Sequence, residues 1–157
     1  MGQVISIKNL KILQTLKKNG KKLVLVGGCF DVLHPGHVIF LQKAKKAGDF
    51  LIVLLESDEK IKLIKGKNRP FFNQKERAAV LRGLKFIDQI IMLPNVKSDA
   101  DYEKILKKIK PDIIAVTEGY ESIEHHKRVA KLVGAKLKFV TKMIGNYSTS
   151  RILGIDF

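Results

Sequence analysis

Residues 23–37 have the sequence Leu-Val-Leu-Val-Gly-Gly-Cys-Phe-Asp-Val-Leu-His-Pro-Gly-His. The apolar run at 23–26 predicts a buried strand, and the residues from Val38 to Ala47 predict a helix. His34 and His37 therefore lie where a strand ends and a helix begins. Free backbone N–H groups and the helix dipole favour negative charge at such a junction. Two imidazoles there indicate a phosphate ligand whose charge changes during a reaction.

Further apolar runs alternate with helical patterns along the rest of the chain. Runs at 50–55, 86–92, 113–116 and 137–140 predict four more strands. Strands separated by helices are typical of right-handed βαβ units. We therefore expect an α/β fold with a Rossmann-like, doubly wound parallel sheet of five strands, in a single domain over residues 1–157.

Two segments flank this predicted core pattern. Apolar spacing from Ile7 to Asn19 predicts a helix, which makes residues 1–20 an N-terminal helical extension of the domain. Residues 59–74 are basic and poorly periodic, so we predict a loop there, with Asn73 capping the helix that follows.

Length and composition limit the class of protein. A chain of 157 residues with 45% hydrophobic residues is typical of a soluble globular domain and not of a disordered one. No segment approaches the roughly 20 apolar residues that span a bilayer, so we expect no membrane partner. The single cysteine, Cys29, excludes an internal disulfide and favours a cytoplasmic protein.

The charge balance is strongly basic. The chain carries 30 Lys and Arg residues against 15 Asp and Glu, a formal charge of +15. A nucleic-acid-binding module is one interpretation of this charge. The basic residues are spread through nearly every segment, however, and aromatic residues make up only 7%, whereas a dedicated interface more often clusters both. We therefore favour a lysine-rich surface that attracts anionic small substrates, without a nucleic-acid partner.

Several loops after predicted strands should lie together at the carboxyl ends of the strands, where ligands of doubly wound sheets bind. In the loop that contains His34 and His37, Gly36 would let a ligand approach the backbone. The basic segment 61–69 can supply cations to a polyphosphate or be a solvated charge run, and Arg77 has the same two interpretations. Three consecutive hydroxyls can cap a short C-terminal helix or hold a phosphate: Ser148, Thr149 and Ser150.

The pattern G-C-F-D-x-x-H-x-G-H at 28–37 resembles the signature of the cytidylyltransferase-like nucleotidyltransferases. The likeness continues through Lys65-Gly66-x-x-Arg69-Pro70, Glu76-Arg77 and the terminal hydroxyls, so it covers nearly the whole chain. Within this superfamily the pattern is most similar to stand-alone D-glycero-β-D-manno-heptose 1-phosphate adenylyltransferases. Glycerol-3-phosphate cytidylyltransferases and FAD synthetases (FMN adenylyltransferases) resemble it more distantly.

The resemblance implies one displacement at phosphorus. A phosphorylated small-molecule acceptor attacks the α-phosphate of an NTP, either ATP or CTP, and pyrophosphate leaves. The catalytic residues would be His34, His37 and Lys65, and Mg²⁺ would accompany the NTP without a metal site on the protein. The resemblance also implies a set of nucleotide-binding residues: Gly28, Cys29, Phe30, Asp31, Gly36, Arg77, Thr117, Ser148, Thr149 and Ser150.

Two departures from the family pattern leave the base and the acceptor open. The segment Thr117-Glu118-Gly119-Tyr120-Glu121 stands where relatives usually carry a Gly-Asp pair, in a loop that commonly helps to recognise the base or acceptor. Lys142 lies one residue out of register with an arginine found in some cytidylyltransferases, which argues against CTP. Relatives are often dimers, so a homodimer is an open alternative. A basic nucleotide- or RNA-binding module is the alternative that is not an enzyme.

Overall fold

The computed structural model describes residues 2–6, 10–119, 123–145 and 147–154. These residues form one parallel sheet of six strands, in the order β1-β4-β3-β2-β5-β6. The strands are β1 (Gln3–Ser6), β2 (Leu23–Gly28), β3 (Phe50–Leu55), β4 (Gln89–Met92), β5 (Ile113–Glu118) and β6 (Lys136–Lys142). The helices are α1 (Lys11–Lys18), α2 (Pro35–Lys45), α3 (Asp58–Lys65), α4 (Gln74–Arg82), α5 (Asp99–Ile109), α6 (Ile123–Val133) and α7 (Thr149–Ile152).

The predicted α/β, doubly wound parallel fold is confirmed, but the sheet has six strands and not five. The additional strand, β1, pairs in parallel with β4 at one edge of the sheet. It lies inside the segment for which the sequence predicts only helix. Its four residues are too few to show a period of two. The helix predicted from Ile7 is described from Lys11 to Lys18, and residues 7–9 lie outside the described part of the chain.

The second difference is α3, which occupies a segment predicted to be a loop. Ser57 caps this helix, because its Oγ accepts a hydrogen bond of 3.2 Å from the Lys60 N–H. Acidic residues in the first turn and lysines in the last turn complement the helix dipole. Only Ile61 is buried, so the apolar period that identifies most helices is missing here. Asn73, by contrast, caps α4 as predicted.

Side chains of β2 alternate between two hydrophobic cores, one on each face of the sheet. Leu23 and Leu25 pack with residues of α1, α5 and α6, on what we call the α5 face. Val24 and Val26 pack with residues of α2 and α4, on the α2 face. The strand then ends in two glycines, at 27 and 28.

At the amino ends of the strands, two carboxylates fix where β2 and β3 begin. Asp112 accepts a 2.8 Å hydrogen bond from the Leu23 N–H, and Asp88 accepts one of 2.7 Å from the Leu51 N–H. Since the two strands pair in register up to Gly28 and Leu55, the loops that follow them leave the sheet side by side. Among the helices that the structure describes, none has both the length and the apolar character required to cross a bilayer.

Candidate active site

The two histidines predicted to bind phosphate are brought together as a stacked pair. His34 is the residue before the first turn of α2, and His37 lies within that turn. Their ring centroids are 3.6 Å apart, with an angle of 22° between the ring planes. The edge of the Phe30 ring contacts His37 at a centroid distance of 5.2 Å, and Tyr147 lies parallel to His34 at 6.1 Å. The pair therefore lies between two aromatic rings.

Gly28 and Gly36 make room for this stack. A Cβ atom on Gly36 would lie 3.1 Å from ring atoms of His34, and one on Gly28 would lie 2.8 Å from the Phe30 ring. The backbone of Phe30 has a φ of 44°, a conformation that folds its ring back over the strand end. At both glycines, the absence of a side chain thus leaves room for a neighbouring ring.

Both imidazoles are uncharged at neutral pH. Burial, the neighbouring His34 ring and the charge of Lys65 together lower the pKa of His37 to about 3. Burial and the charge of Lys65 also lower the pKa of His34. The Nδ1 atoms of both rings are buried and have no hydrogen-bond partner among the described residues. Nε2 is therefore the nitrogen through which each ring can contact a ligand.

Lys65 supplies positive charge beside this neutral pair. It ends α3 and is half-buried. Burial raises the pKa of the Cys29 thiol, and the charge of Lys65 opposes that rise, which places the ammonium near Cys29 as well as near the histidines. In the described parts of the chain, no group of three or more His, Cys, Asp or Glu side chains could hold a metal ion. The electrostatics of the site favour an anion.

Arg77, which is predicted to bind the nucleotide, is engaged with protein atoms in this structure. Its side chain is buried and donates to four protein atoms. Nη1 donates to the Cys29 carbonyl at 2.5 Å, Nη2 donates to the Glu56 carbonyl and to Asp58 Oδ1, and Nε donates to the Phe72 carbonyl. Arg77 thus joins the loops that follow β2 and β3, and its role in nucleotide binding stays a prediction.

Asp31 also lies below the surface, where it forms a buried ion pair with Arg69. Its Oδ2 accepts a 2.5 Å hydrogen bond from Arg69 Nε, and its Oδ1 accepts hydrogen bonds from the N–H groups of Phe71 and Phe72. Arg69 Nη1 reaches Ser150 Oγ at 3.4 Å. From the sequence, Arg69 is only one cation of a basic segment. Its place in the Lys-Gly-x-x-Arg-Pro pattern was the signal that could have distinguished it.

The C-terminal hydroxyls dock α7 onto the histidine loop. Ser148 Oγ accepts a hydrogen bond from the Arg151 N–H and caps the helix. Thr149 is buried and donates to the Val32 carbonyl at 3.3 Å, while Ser150 contacts Arg69. The structure therefore brings all three hydroxyls to the edge that carries His34 and His37. Their role in nucleotide binding stays a prediction.

Thr117 is less closely connected to this group. Its Oγ1 lies 3.2 Å from Oγ1 of Thr141, so among the described contacts it joins β5 to β6 and not to the histidine loop. The next residues of the predicted recognition loop, Tyr120 and Glu121, lie outside the described part of the chain.

A cavity of about 480 Å³ lies at Tyr147, the ring that is parallel to His34. Its walls come from the loop before α7 and from α7 itself: Gly145, Tyr147, Arg151 and Ile152. Ligand pockets in proteins commonly have volumes of roughly 300–1,000 Å³. The cavity thus adds an aromatic ring and one arginine to the α2-face side of the site.

A match to a protein-family model shows to which family the chain belongs. Residues 25–154 match the family model described as cytidylyltransferase-like. The chain belongs to the cytidylyltransferase-like family of nucleotidyltransferases. This finding confirms the resemblance of the 28–37 pattern.

Curated relatives of this family member include the bifunctional protein HldE from two bacteria. The protein of Helicobacter pylori (strain J99) is 38% identical over 146 residues, which cover 91% of this chain and 29% of that protein. The protein of Wolinella succinogenes is 39% identical over 134 residues, covering 85% of this chain and 26% of that protein. The chain therefore spans less than a third of the length of these relatives.

Two solved structures are similar to this chain. The lipopolysaccharide core biosynthesis protein from Thermoplasma volcanium GSS1 is 32% identical, with a TM-score of 0.62, and the match covers 82% of this chain and 100% of that chain. Pantoate-β-alanine ligase from Francisella tularensis, complexed with β-γ ATP and β-alanine, has a TM-score of 0.66 at 15% identity, over 99% of this chain and 74% of that chain. At that identity the second match concerns the fold alone.

Proposed function

We propose that the chain transfers a nucleotidyl group from an NTP to a phosphorylated small-molecule acceptor, with release of pyrophosphate. The observation that carries this proposal is the stacked, uncharged pair of His34 and His37 at the start of α2, with Lys65 beside it. A neutral ring protonated at Nε2 can donate a hydrogen bond to a phosphoryl oxygen. The ammonium and the helix N-terminus attract the triphosphate.

The reaction needs no nucleophile from the protein. A phosphate oxygen of the acceptor attacks the α-phosphorus, and the bond from that phosphorus to the bridging oxygen of the β-phosphate breaks. Pyrophosphate carries away the electron pair, and Mg²⁺ enters and leaves as part of the nucleotide substrate. The histidine Nε2 groups would donate to the oxygens of the α-phosphate, where negative charge is concentrated in the transition state.

For the nucleotide we propose ATP, and for the acceptor a heptose 1-phosphate. The similarity of the sequence pattern to heptose 1-phosphate adenylyltransferases supports this choice. So do the relatives named HldE and the similar protein of lipopolysaccharide core biosynthesis. The cavity at the C-terminal helix offers the Tyr147 ring as a stacking surface for a nucleobase.

A grid of nucleotides and acceptors tests the proposal. ATP, CTP, GTP and UTP are each combined with heptose 1-phosphate, glycerol 3-phosphate or FMN, and pyrophosphate release is measured. We expect the highest rate with ATP and heptose 1-phosphate. A higher rate with CTP and glycerol 3-phosphate, or with ATP and FMN, would replace the proposed substrates. No release with any pair, combined with tight RNA binding that weakens steeply with salt, would contradict the enzymatic role.

A further inference from the structure

We propose that Glu56 and Tyr102 form the subsite for the hydroxyl groups of the acceptor, on the α5 face of the strand end and opposite to the histidines. The inference rests on the proposed function and specifies its substrate class: a phosphate ester whose other half is a neutral, polyhydroxylated group. The phosphate of the acceptor would face His34 and Lys65, while its hydroxyl-bearing part would extend to the α5 face.

The first observation concerns the two glycines that end β2. The alternation of the strand directs position 28 to the α2 face, where the Phe30 ring fills the space of a side chain. Position 27 is directed to the α5 face and is exposed. A Cβ atom on Gly27 would lie 3.2 Å from the hydroxyl oxygen of Tyr102, the one side-chain neighbour within 4 Å. The missing side chain therefore leaves open space at the strand end, and a tyrosine hydroxyl borders it.

The second observation concerns Glu56, the residue after β3. Its N–H donates to the Gly28 carbonyl at 3.1 Å, so its backbone lies beside the end of β2. Ile52 and Leu54 of β3 pack on the α5 face, and the same alternation directs Glu56 to that face. Burial raises the pKa of Tyr102, and the negative charge of Glu56 raises it further, which places this carboxylate near the phenol.

The third observation concerns the hydrogen bonding of these two polar groups. Within the described ranges, the Tyr102 hydroxyl and the Glu56 carboxylate form no hydrogen bond, and both side chains are only half-buried. Neither group is among the fully buried polar atoms that lack a partner, so both are open to a ligand. The Asn73 and Ser98 side chains, by comparison, are both used to cap helices.

The chemistry of the two groups selects the ligand. A carboxylate accepts hydrogen bonds from two neighbouring hydroxyls, and a tyrosine hydroxyl can both donate and accept. Burial raises the pKa of Glu56, and the charges of Lys60 and Arg77 oppose that rise. When it is ionised, the Glu56 carboxylate would repel a phosphate group placed next to it. The α5 face therefore suits sugar hydroxyls, whereas the α2 face suits phosphates.

The test is a two-substrate kinetic comparison of three variants. Tyr102→Phe and Glu56→Gln each remove one hydrogen-bonding function, while Glu59→Gln makes the second change at an exposed glutamate of α3 as a matched control. For Tyr102→Phe we expect the KM for heptose 1-phosphate to rise about threefold to tenfold, and for Glu56→Gln tenfold or more. The KM for ATP and kcat should change less than about twofold in both. Glu59→Gln should leave the acceptor KM unchanged.

A fourth variant tests the geometry of the open space. In Gly27→Ala the new methyl group would lie 3.2 Å from the Tyr102 oxygen and occupy the space at the strand end, so the acceptor KM should rise more than the KM for ATP. Thermal unfolding of each variant shows whether it folds. An unchanged acceptor KM in both Tyr102→Phe and Glu56→Gln would overturn the subsite, as would an equal rise in both KM values.

The subsite and the proposed function fail in different ways. If wild type releases no pyrophosphate with any acceptor, the proposed reaction is wrong. Calorimetric titration with heptose 1-phosphate then tests the subsite by itself. Binding to wild type that is lost in Glu56→Gln would support it, and no binding to wild type, or equal binding to both, would overturn it.

Discussion

The two faces of the sheet meet at the end of β2, and they present opposite chemistry there. On the α2 face, Gly28 is covered by Phe30, and two stacked neutral imidazoles lie beside Lys65. On the α5 face, Gly27 is open, and an anionic and a phenolic side chain border it. One residue of strand register separates the two environments. The proposed nucleotidyl transfer to a sugar phosphate needs both of them: charge complementarity for the phosphates and hydrogen bonding for the hydroxyls.

The largest effect is expected from the buried support of the α2 face. Arg69→Ala leaves the Asp31 carboxylate buried without its cation, so the free energy of unfolding should fall by about 3–5 kcal/mol. Urea denaturation measures this change. Lys67→Ala is the matched control, because it removes an exposed cation two residues away and should change stability by less than about 0.5 kcal/mol. Equal effects of the two variants would show that the Asp31–Arg69 pair does not support the site.

The next effect separates catalysis from binding. His37→Ala removes a hydrogen-bond donor to the transition state, so kcat for pyrophosphate release should fall about 10²–10³-fold, as when one oxyanion-hole donor is lost. The variants of the α5 face should keep kcat. A His37→Ala enzyme with normal turnover would contradict the role given to the stacked pair.

A smaller effect concerns the pH dependence of stability, which should have opposite sign for the two faces. The pKa of His37 is lowered in the folded state, so the unfolded chain binds more protons below the ordinary histidine range, and stability falls as pH decreases towards about 3. The pKa of Glu56 is raised in the folded state, so its contribution to stability is lost as pH rises through that raised pKa.

Two variants measure these slopes. Compared with wild type, His37→Gln should lose less stability on acidification, and Glu56→Gln should lose less as pH rises above the ordinary glutamate range. Urea denaturation at a series of pH values provides both curves. The contrast between the faces would be contradicted if the stability difference from wild type changed with pH in the same direction for both variants.

The sequence was sufficient for the parallel α/β sheet because buried strands are continuous apolar runs, and for the proximity of His34 and His37 because both fall in one short motif. It was insufficient where tertiary contacts decide the outcome. β1 is a strand because β4 offers it an edge, and α3 is a helix because of its cap and its charges. Residue type also does not show which guanidinium N–H groups are already used, so Arg77 had to be seen among its four acceptors.

Tyr102 is another residue whose position at the site cannot be predicted from the sequence. In the sequence it is one aromatic residue on an amphipathic helix, which normally indicates packing against the core. Its proximity to Gly27 depends on the register of β2 and on how α5 packs against the sheet. No spacing along the chain connects residues that lie 75 positions apart in this way.

The central claim is that one strand end is divided into a phosphate half and a hydroxyl half. The most direct test is pyrophosphate release from ATP and heptose 1-phosphate, measured over a range of both substrates for wild type, His37→Ala and Tyr102→Phe. We predict that His37→Ala lowers kcat with little change in the acceptor KM, whereas Tyr102→Phe raises the acceptor KM with little change in kcat. If both variants change the same kinetic parameter, the division between the two faces is wrong.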